Sequence, residues 1–288
     1  MDVPRKHAIT PADLISSSVE LSALPEVYER VSSKLDDPMS SNAQIGALVA
    51  LDPALTSQVL RLVNSAFFGL PRKVSDIEHA IRFIGRTELR NILLGNAITG
   101  LFTELLGQPD SQRAYWRHSV RSALFARYLA RMLGLGPQGQ SAFTAGLLHD
   151  IGQLVIRLRL PRQSLEINAL KGAGGLDAAG AERQVLGFDH AEVSALLLEN
   201  WNLPEVLSEP IRFHHTPERA EQYPEICAII HLADRLAYLE APPENLAAPT
   251  ERLAVLDLAP NGTPLNLPAL FDYVDDQLDF VLSVLRIP

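Results

Sequence analysis

The chain has 288 residues, a 47% hydrophobic composition and a net charge of −9, enough apolar material for a core and nothing like a disordered tail. The acidic balance, with a pI near 5.4, argues against a broad electrostatic footprint for nucleic acid. A single cysteine, Cys227 in the apolar run ICAII, excludes an internal disulfide framework and a thiolate metal cluster.

The first ten residues, MDVPRKHAIT, hold two basic side chains and no apolar h-region, so a signal peptide is not expected. No apolar stretch approaches the ~20 residues that span a bilayer. A cytoplasmic chain without a membrane segment is the expectation. The apolar periodicity is helical nearly throughout and strand alternation is hard to find, so the expected class is all-α.

Pro25 opens a helix to about Leu35, because proline fits a first turn. Helices follow over 42–51 and 53 to about 65. Ser75-Asp76-Ile77-Glu78 reads as a capping box in which the Ser75 oxygen takes the Glu78 amide. That helix should run to Ile84 and stop at Gly85 in a left-handed cap. Thr87 begins the next, carrying Leu89, Ile92, Leu93, Ala97 and Leu101 to about Leu105. The turn-rich stretch Gly107-Gln108-Pro109-Asp110 then marks a boundary between two helical sets.

The second set is expected at about 112–133, 138–149, 161–172, 177–186, 190–201, 204–214 and 223–240, with Pro210 kinking the sixth. The run Gly172-Ala173-Gly174-Gly175 reads as a turn. Pro242-Pro243 and Pro260-Asn261-Gly262-Thr263-Pro264 read as looser connections before a last amphipathic helix at about 267–286. Arg113, Arg117, Arg121, Arg127 and Arg131 read as the solvated face of a half-buried helix. Asn64–Gly69 is a candidate exposed loop with two aromatics, Phe67 and Phe68, unless both pack into the core.

Seven side chains carry the chemistry: His118, His149, Asp150, His190, His214, His215 and Asp234. Each is a good ligand for a divalent metal, and imidazole with carboxylate suits Zn, Fe, Mn or Ni. His118 lies inside an apolar helix, where a lone histidine is most often a hydrogen-bonded core residue. His149-Asp150 falls in FTAGLLHDIGQLVI, near a helix end, and both can reach a cleft along one side of it. Gly152 removes bulk where another group must approach. Asp234 sits in IIHLADRLAYL, where a buried carboxylate must be paired or coordinated; a salt bridge to an arginine, or simple exposure, is the alternative to ligation. No G-x-S-x-G elbow, P-loop or G-x-G-x-x-G appears, which removes those chemistries.

In this order the set resembles the H…HD…D ligands of the HD superfamily of metal-dependent phosphohydrolases, with His118, His149, Asp150 and Asp234 at the matching positions. His190 and His214-His215 resemble the further ligands of the HD-GYP phosphodiesterases, which carry more than one metal. A narrower resemblance, over about 21–217, is to the HDOD domain. It rests on LSALPEVYERVSSKL, IGALVALDPALTSQVLRLVNSAFFGLP, SDIEHAIRFIGRTELRNILL, LLHDIGQLVI, GFDHAEVSALLLENWNLPE and IRFHHTP.

The resemblance implies a two-lobed all-α fold. Residues 1–20 would be a lead-in, 21–106 an N-terminal helical lobe, 110–217 an HD-like bundle, and 218–288 helices completing that bundle. It implies one or two divalent ions, with Asp150 bridging a pair. HD-GYP proteins read HDIGK, whose lysine meets substrate phosphate; here Gln153 stands at that position, a neutral group where phosphate would lie. No GYP element follows His215, and residues 114–117 offer no carboxylate one turn before His118. The function implied is therefore a non-catalytic regulatory module of bacterial signalling that contacts a protein partner. A metal-dependent phosphohydrolase is the alternative.

Overall fold

The computed structural model describes residues 9–16, 21–106, 109–172, 175–243, 265–285 and 287. The centres of two expected turns, 107–108 and 173–174, and the run 260–264 lie outside them. Among the described residues every regular element is a helix. In chain order these are α1 Pro11–Ser16, α2 Glu26–Asp36, α3 Asn42–Val49, α4 Pro53–Val63, α5 Ile77–Leu106, α6 Pro109–Met132, α7 Gly136–Gly139 and α8 Ala142–Leu148. They continue as α9 Ile151–Arg159, α10 Pro161–Gly172, α11 Ala178–Leu186, α12 His190–Asn200, α13 Glu205–Arg212, α14 Pro224–Ala237 and α15 Leu267–Val284.

Local sequence explains most boundaries. Ser41 and Gln44 form a reciprocal capping box that starts α3, satisfying two otherwise orphaned amides. Asp52 accepts the amides of Ala54 and Leu55 and starts α4, with Pro53 in its first turn. The expected box at Ser75 is not what forms. The Asp76 carboxylate caps α5 instead, accepting from the His79 amide at 2.9 Å, because a charged acceptor outcompetes a hydroxyl one residue away. Gly85 has φ 83° and ψ 166°. That lies outside the left-handed helical basin and close to glycine-only territory, so α5 breaks there and resumes in a new direction.

Two expected boundaries are corrected and one helix is added. The span 138–149 is not one helix, because α7 ends at Gly139 and α8 begins at Ala142. α13 stops at Arg212, so His214 and His215 lie beyond it. α9 was not expected at all. Its core face (Ile151, Leu154, Val155) is short and follows directly on α8, so its periodicity merges with its neighbour's.

Leu89, Ile98, Phe102, Trp116, Leu124, Leu129 and Leu147 are among the fully buried side chains of one continuous core. α6 is the central rod: α8, α14 and α15 pack on it, and α5 packs on α8. α15 also reaches α4 in the N-terminal half, where Arg61 donates to the Ser283 hydroxyl.

Arg127 on α6 is 12% exposed and pairs with Glu88 on α5 at 2.5 Å. Its guanidinium lies 3.8 Å from the Phe67 ring centroid and 4.5 Å from that of Phe68. Of the two readings of Asn64–Gly69, core packing is the one found: Phe67 is buried and edge-on to Phe143 of α8, so the segment is an internal joint. The expected arginine face is likewise only partly solvated. Arg113, Arg117 and Arg131 are exposed, but Arg121 and Arg127 are half-buried.

Candidate metal centre

Two glycines place the central dipeptide. A Cβ on Gly146 would lie 2.9 Å from the Ala123 Cα, so α8 approaches α6 backbone to backbone. A Cβ on Gly152 would lie 2.2 Å from the His190 carbonyl oxygen and 2.9 Å from the Ser194 amide. The Gly152 N–H donates to the Ser194 hydroxyl at 2.8 Å. The segment GLLHDIG therefore sets His149-Asp150 in the α8–α9 turn, against α6 on one side and α12 on the other. The bulk removed at Gly152 is the room for α12.

All seven expected side chains meet there. Ligand atoms of His118, His149, Asp150 and Asp234 lie within 4.8 Å of one another, and so do those of His190, His214 and His215. Asp150 faces both sets: Oδ1 is 2.9 Å from His190 Nε2 and 3.5 Å from His149 Nε2, and Oδ2 is 3.8 Å from His118 Nε2. Asp234 from α14 pairs with His118 at 3.0 Å and His149 at 3.3 Å through Oδ1, histidines rather than an arginine. His149, Asp150, His190, His214 and Asp234 are buried; His118 and His215 are half-buried.

Three imidazoles are oriented from behind. His149 Nδ1 donates to the Gly146 carbonyl at 2.8 Å, and His214 Nδ1 to the Ile211 carbonyl at 2.7 Å. Glu182 Oε2 accepts from both Nδ1 and the backbone amide of His190, at 2.6 and 2.7 Å. Each bond fixes the proton on Nδ1 and turns Nε2 inward, the arrangement in which histidine ligates metal. His214 Nε2 has no hydrogen-bond partner among the described residues, although a buried imidazole nitrogen normally has one.

Donor atoms around an ion with ~2.1 Å bonds lie up to about 4 Å apart, and the Asp150 and Asp234 oxygens meet that limit, at 2.9 to 3.8 Å from the imidazole nitrogens they face. Inward Nε2 atoms, two carboxylates and an orphaned nitrogen together fit a divalent ion. Glu209 of α13 accepts the amides of Glu221, Gln222 and Tyr223, tying the segment that precedes α14 back to the helix that precedes His214. His231, on the same face of α14 as Asp234, stays outside the cluster and donates from Nδ1 to the His214 carbonyl at 2.7 Å.

A cleft of about 500 Å³ opens onto the cluster, with Asp150, Gln153, Lys171, His190, His215 and Tyr238 in its walls. Tyr238 lies over His118, ring centroids 4.3 Å apart. Sequence reasoning found Gln153 but missed Lys171, Glu182 and Tyr238. Only the burial of Glu182, eight residues before His190, would have flagged it, and burial is not written in the local text GAERQVLGFDH.

Burial alone would lower the His149 pKa, but Asp150 and Asp234, with the Gly146 carbonyl, raise it to about 9. Burial would likewise lower His190, but Asp150 and Glu182 carry it well above its usual range. Burial would raise Asp150, but the charges of His149 and His190 hold it well below the carboxylate range. His215 falls to about 4 through burial and the charge of His190.

Because His149 is raised from 6.5 to about 9 on folding, its contribution to the stability of metal-free protein is complete below pH 6.5. It fades as pH rises through about 9. A metal must displace that proton. Metal uptake at pH 7 is therefore expected to release protons and to tighten toward pH 9. Calorimetric titration with Mn²⁺ in buffers of different ionisation enthalpy measures this; uptake without proton release would contradict it.

An all-helical body with an inward-facing H…HD…D set defines an HD-type domain. The HDOD domain family model matches residues 21–217, about two thirds of the chain, and the protein belongs to the HDOD family. It is similar in structure to an HDOD domain protein of unknown function from Geobacter sulfurreducens (TM-score 0.71, 24% identity, 96% of this chain and 95% of that one). A Shewanella amazonensis SB2B protein assigned, by name only, to the phosphohydrolases is similarly close (TM-score 0.73, 24% identity, 97% and 98%). At these identities the likeness is one of fold. An uncharacterized protein of Treponema pallidum is 28% identical over 241 residues, 81% of this chain and 46% of its own length. The chain thus spans under half the length of that relative. Among the described residues no single helix is long and apolar enough to cross a membrane.

Proposed function

We propose that this HDOD chain is a non-catalytic regulatory module of signal transduction. It holds one or two divalent ions (Fe, Mn, Zn or Ni) on His118, His149, Asp150 and Asp234, with His190, His214 and His215 for a second. It works by contact with a protein partner, of the kind used in bacterial signalling, in the cytoplasm.

The observation that carries this reading is Gln153. It lines the cleft beside Asp150, in the first turn of α9, where a fixed cation would stabilise charge developing on a phosphoryl group. A neutral amide there leaves a ligand set able to bind without the electrostatics of turnover. The alternative, a metal-dependent phosphohydrolase, is favoured by the completeness of the cluster. A bound ion would supply a hydroxide and polarise a phosphoryl oxygen, and the inward Nε2 atoms and Asp150 would hold it.

Hydrolysis of bis-p-nitrophenyl phosphate by metal-loaded protein separates the two. The module reading expects a rate equal to that of His149→Ala. A rate that is clearly higher and vanishes in His149→Ala would establish the hydrolase.

A further inference from the structure

The imidazoles of the cluster are not held alike. His149, His190 and His214 each have Nδ1 bonded from behind, to a carbonyl or to Glu182. His118 has no such support: its Nδ1 is buried without a hydrogen-bond partner among the described residues. Its Nε2 faces inward, 3.0 Å from Asp234 and 3.8 Å from Asp150. Outside the seven, the ring that lies against it is that of Tyr238, with centroids 4.3 Å apart and planes tilted by 36°. At that separation aromatic rings attract one another.

The two helices that supply His118 and Asp234 also build this contact. Tyr238 caps the C-terminal end of α14, four residues after Asp234 and on the same face. On α6, three residues after His118, the half-buried Arg121 donates to the Leu239 carbonyl at 2.7 Å. This bond fastens the end of α14 to α6 beside the two rings. Tyr238 nevertheless is 67% exposed and lines the cleft, so it adds little to the core. A histidine ligand without a hydrogen bond from behind is less basic and less firmly oriented than one that has it. In the set His118, His149, Asp150 and Asp234, His118 is therefore the imidazole that gives way first when an ion leaves.

We propose that Tyr238 is the positioning residue of His118: its ring takes the place of the missing hydrogen bond and sets how fast an ion held by that four-ligand set is exchanged. This rests on the metal-binding reading above. It puts the control of metal exchange on an exposed side chain at the cleft, open to a docking partner.

The test is the rate at which the Zn²⁺-loaded full chain gives up its metal to an excess of a pyridylazo-resorcinol dye, in wild type, Tyr238→Phe, Tyr238→Leu and Tyr238→Ala. Tyr238→Ala should release metal about tenfold faster at unchanged stoichiometry and unchanged urea midpoint, the scale of losing a ligand's supporting contact. Tyr238→Phe keeps the ring and should match wild type. Tyr238→Leu should behave like the alanine variant, because apolar cover without a ring face does not orient an imidazole. In metal-free protein, NMR should show the His118 ring protons shifted upfield by the Tyr238 ring, a shift kept in Tyr238→Phe and lost in Tyr238→Ala. A Tyr238→Ala release rate equal to that of wild type, or a phenylalanine variant as fast as the alanine one, would overturn the proposal. Identical His118 resonances in wild type and Tyr238→Ala would do the same. Wild type that takes up no Zn²⁺ would defeat the metal-binding reading and the exchange role together, whereas uptake with equal rates would defeat the exchange role alone.

Discussion

Gly152→Ala is expected to cost at least about 3 kcal/mol of stability, the upper end for overpacking a core, and to abolish ordered metal binding. A methyl there would sit 2.2 Å from the His190 carbonyl oxygen and 2.9 Å from the Ser194 amide. Both are backbone atoms, so no rotamer change relieves the contact. α9 and α12 must separate, which breaks the Gly152–Ser194 hydrogen bond and draws His190 away from Asp150. Helix propensity alone favours alanine by about 1 kcal/mol, so the clash decides the sign. Gly100→Ala supplies the contrast. It lies within α5 with nothing inside 4 Å of its added Cβ, and the same change there should stabilise by about 0.5–1 kcal/mol. Urea denaturation of the two variants measures both. A Gly152→Ala protein as stable as wild type would mean that the α9–α12 contact is looser than described.

Glu88→Ala is expected to destabilise by about 3 kcal/mol, as breaking a buried ion pair typically does. It leaves the Arg127 guanidinium, 12% exposed, without its carboxylate and against the faces of Phe67 and Phe68. Rings attract a desolvated cation by about 2 kcal/mol, which offsets only part of the loss. Burial pushes the Glu88 carboxyl up, and Arg127 pulls it back only in part, so the pair is costly to keep as well as to break. Glu88→Leu with Arg127→Met should therefore recover much of the loss. A double-mutant cycle by thermal or urea unfolding reads the coupling; additive effects would show that the α5–α6 joint does not depend on the pair.

The helical class and the site residues were legible because each leaves a local mark. Proline and Asp or Ser caps start α2, α3 and α4 in the text itself, and the histidines and aspartates of the cluster stand out by type. Their convergence was legible only through resemblance, since His118 and Asp234 are 116 positions apart and meet because α6 and α14 pack together. What failed to show was decided by tertiary contact. Arg127 reads as a surface arginine until Glu88 and two rings enclose it. Phe67 and Phe68 admit either an exposed loop or core packing until Phe143 packs against Phe67 and decides it. Ser75 lost the cap of α5 to its neighbour Asp76, a competition that a four-residue pattern does not resolve. Lys171 gave no signal because only the packing of α10 against α9 brings it into the same cleft wall as Gln153.

The central claim is that the seven-residue cluster binds a divalent ion in the native chain. Elemental analysis of protein purified without added metal, alongside Asp150→Ala prepared identically, tests it most directly. The account predicts one or two equivalents of Fe, Mn, Zn or Ni in wild type and a large loss in Asp150→Ala, because Asp150 faces both ligand sets. Trace metal in wild type even after supplementation, or equal metal in both proteins, would contradict it.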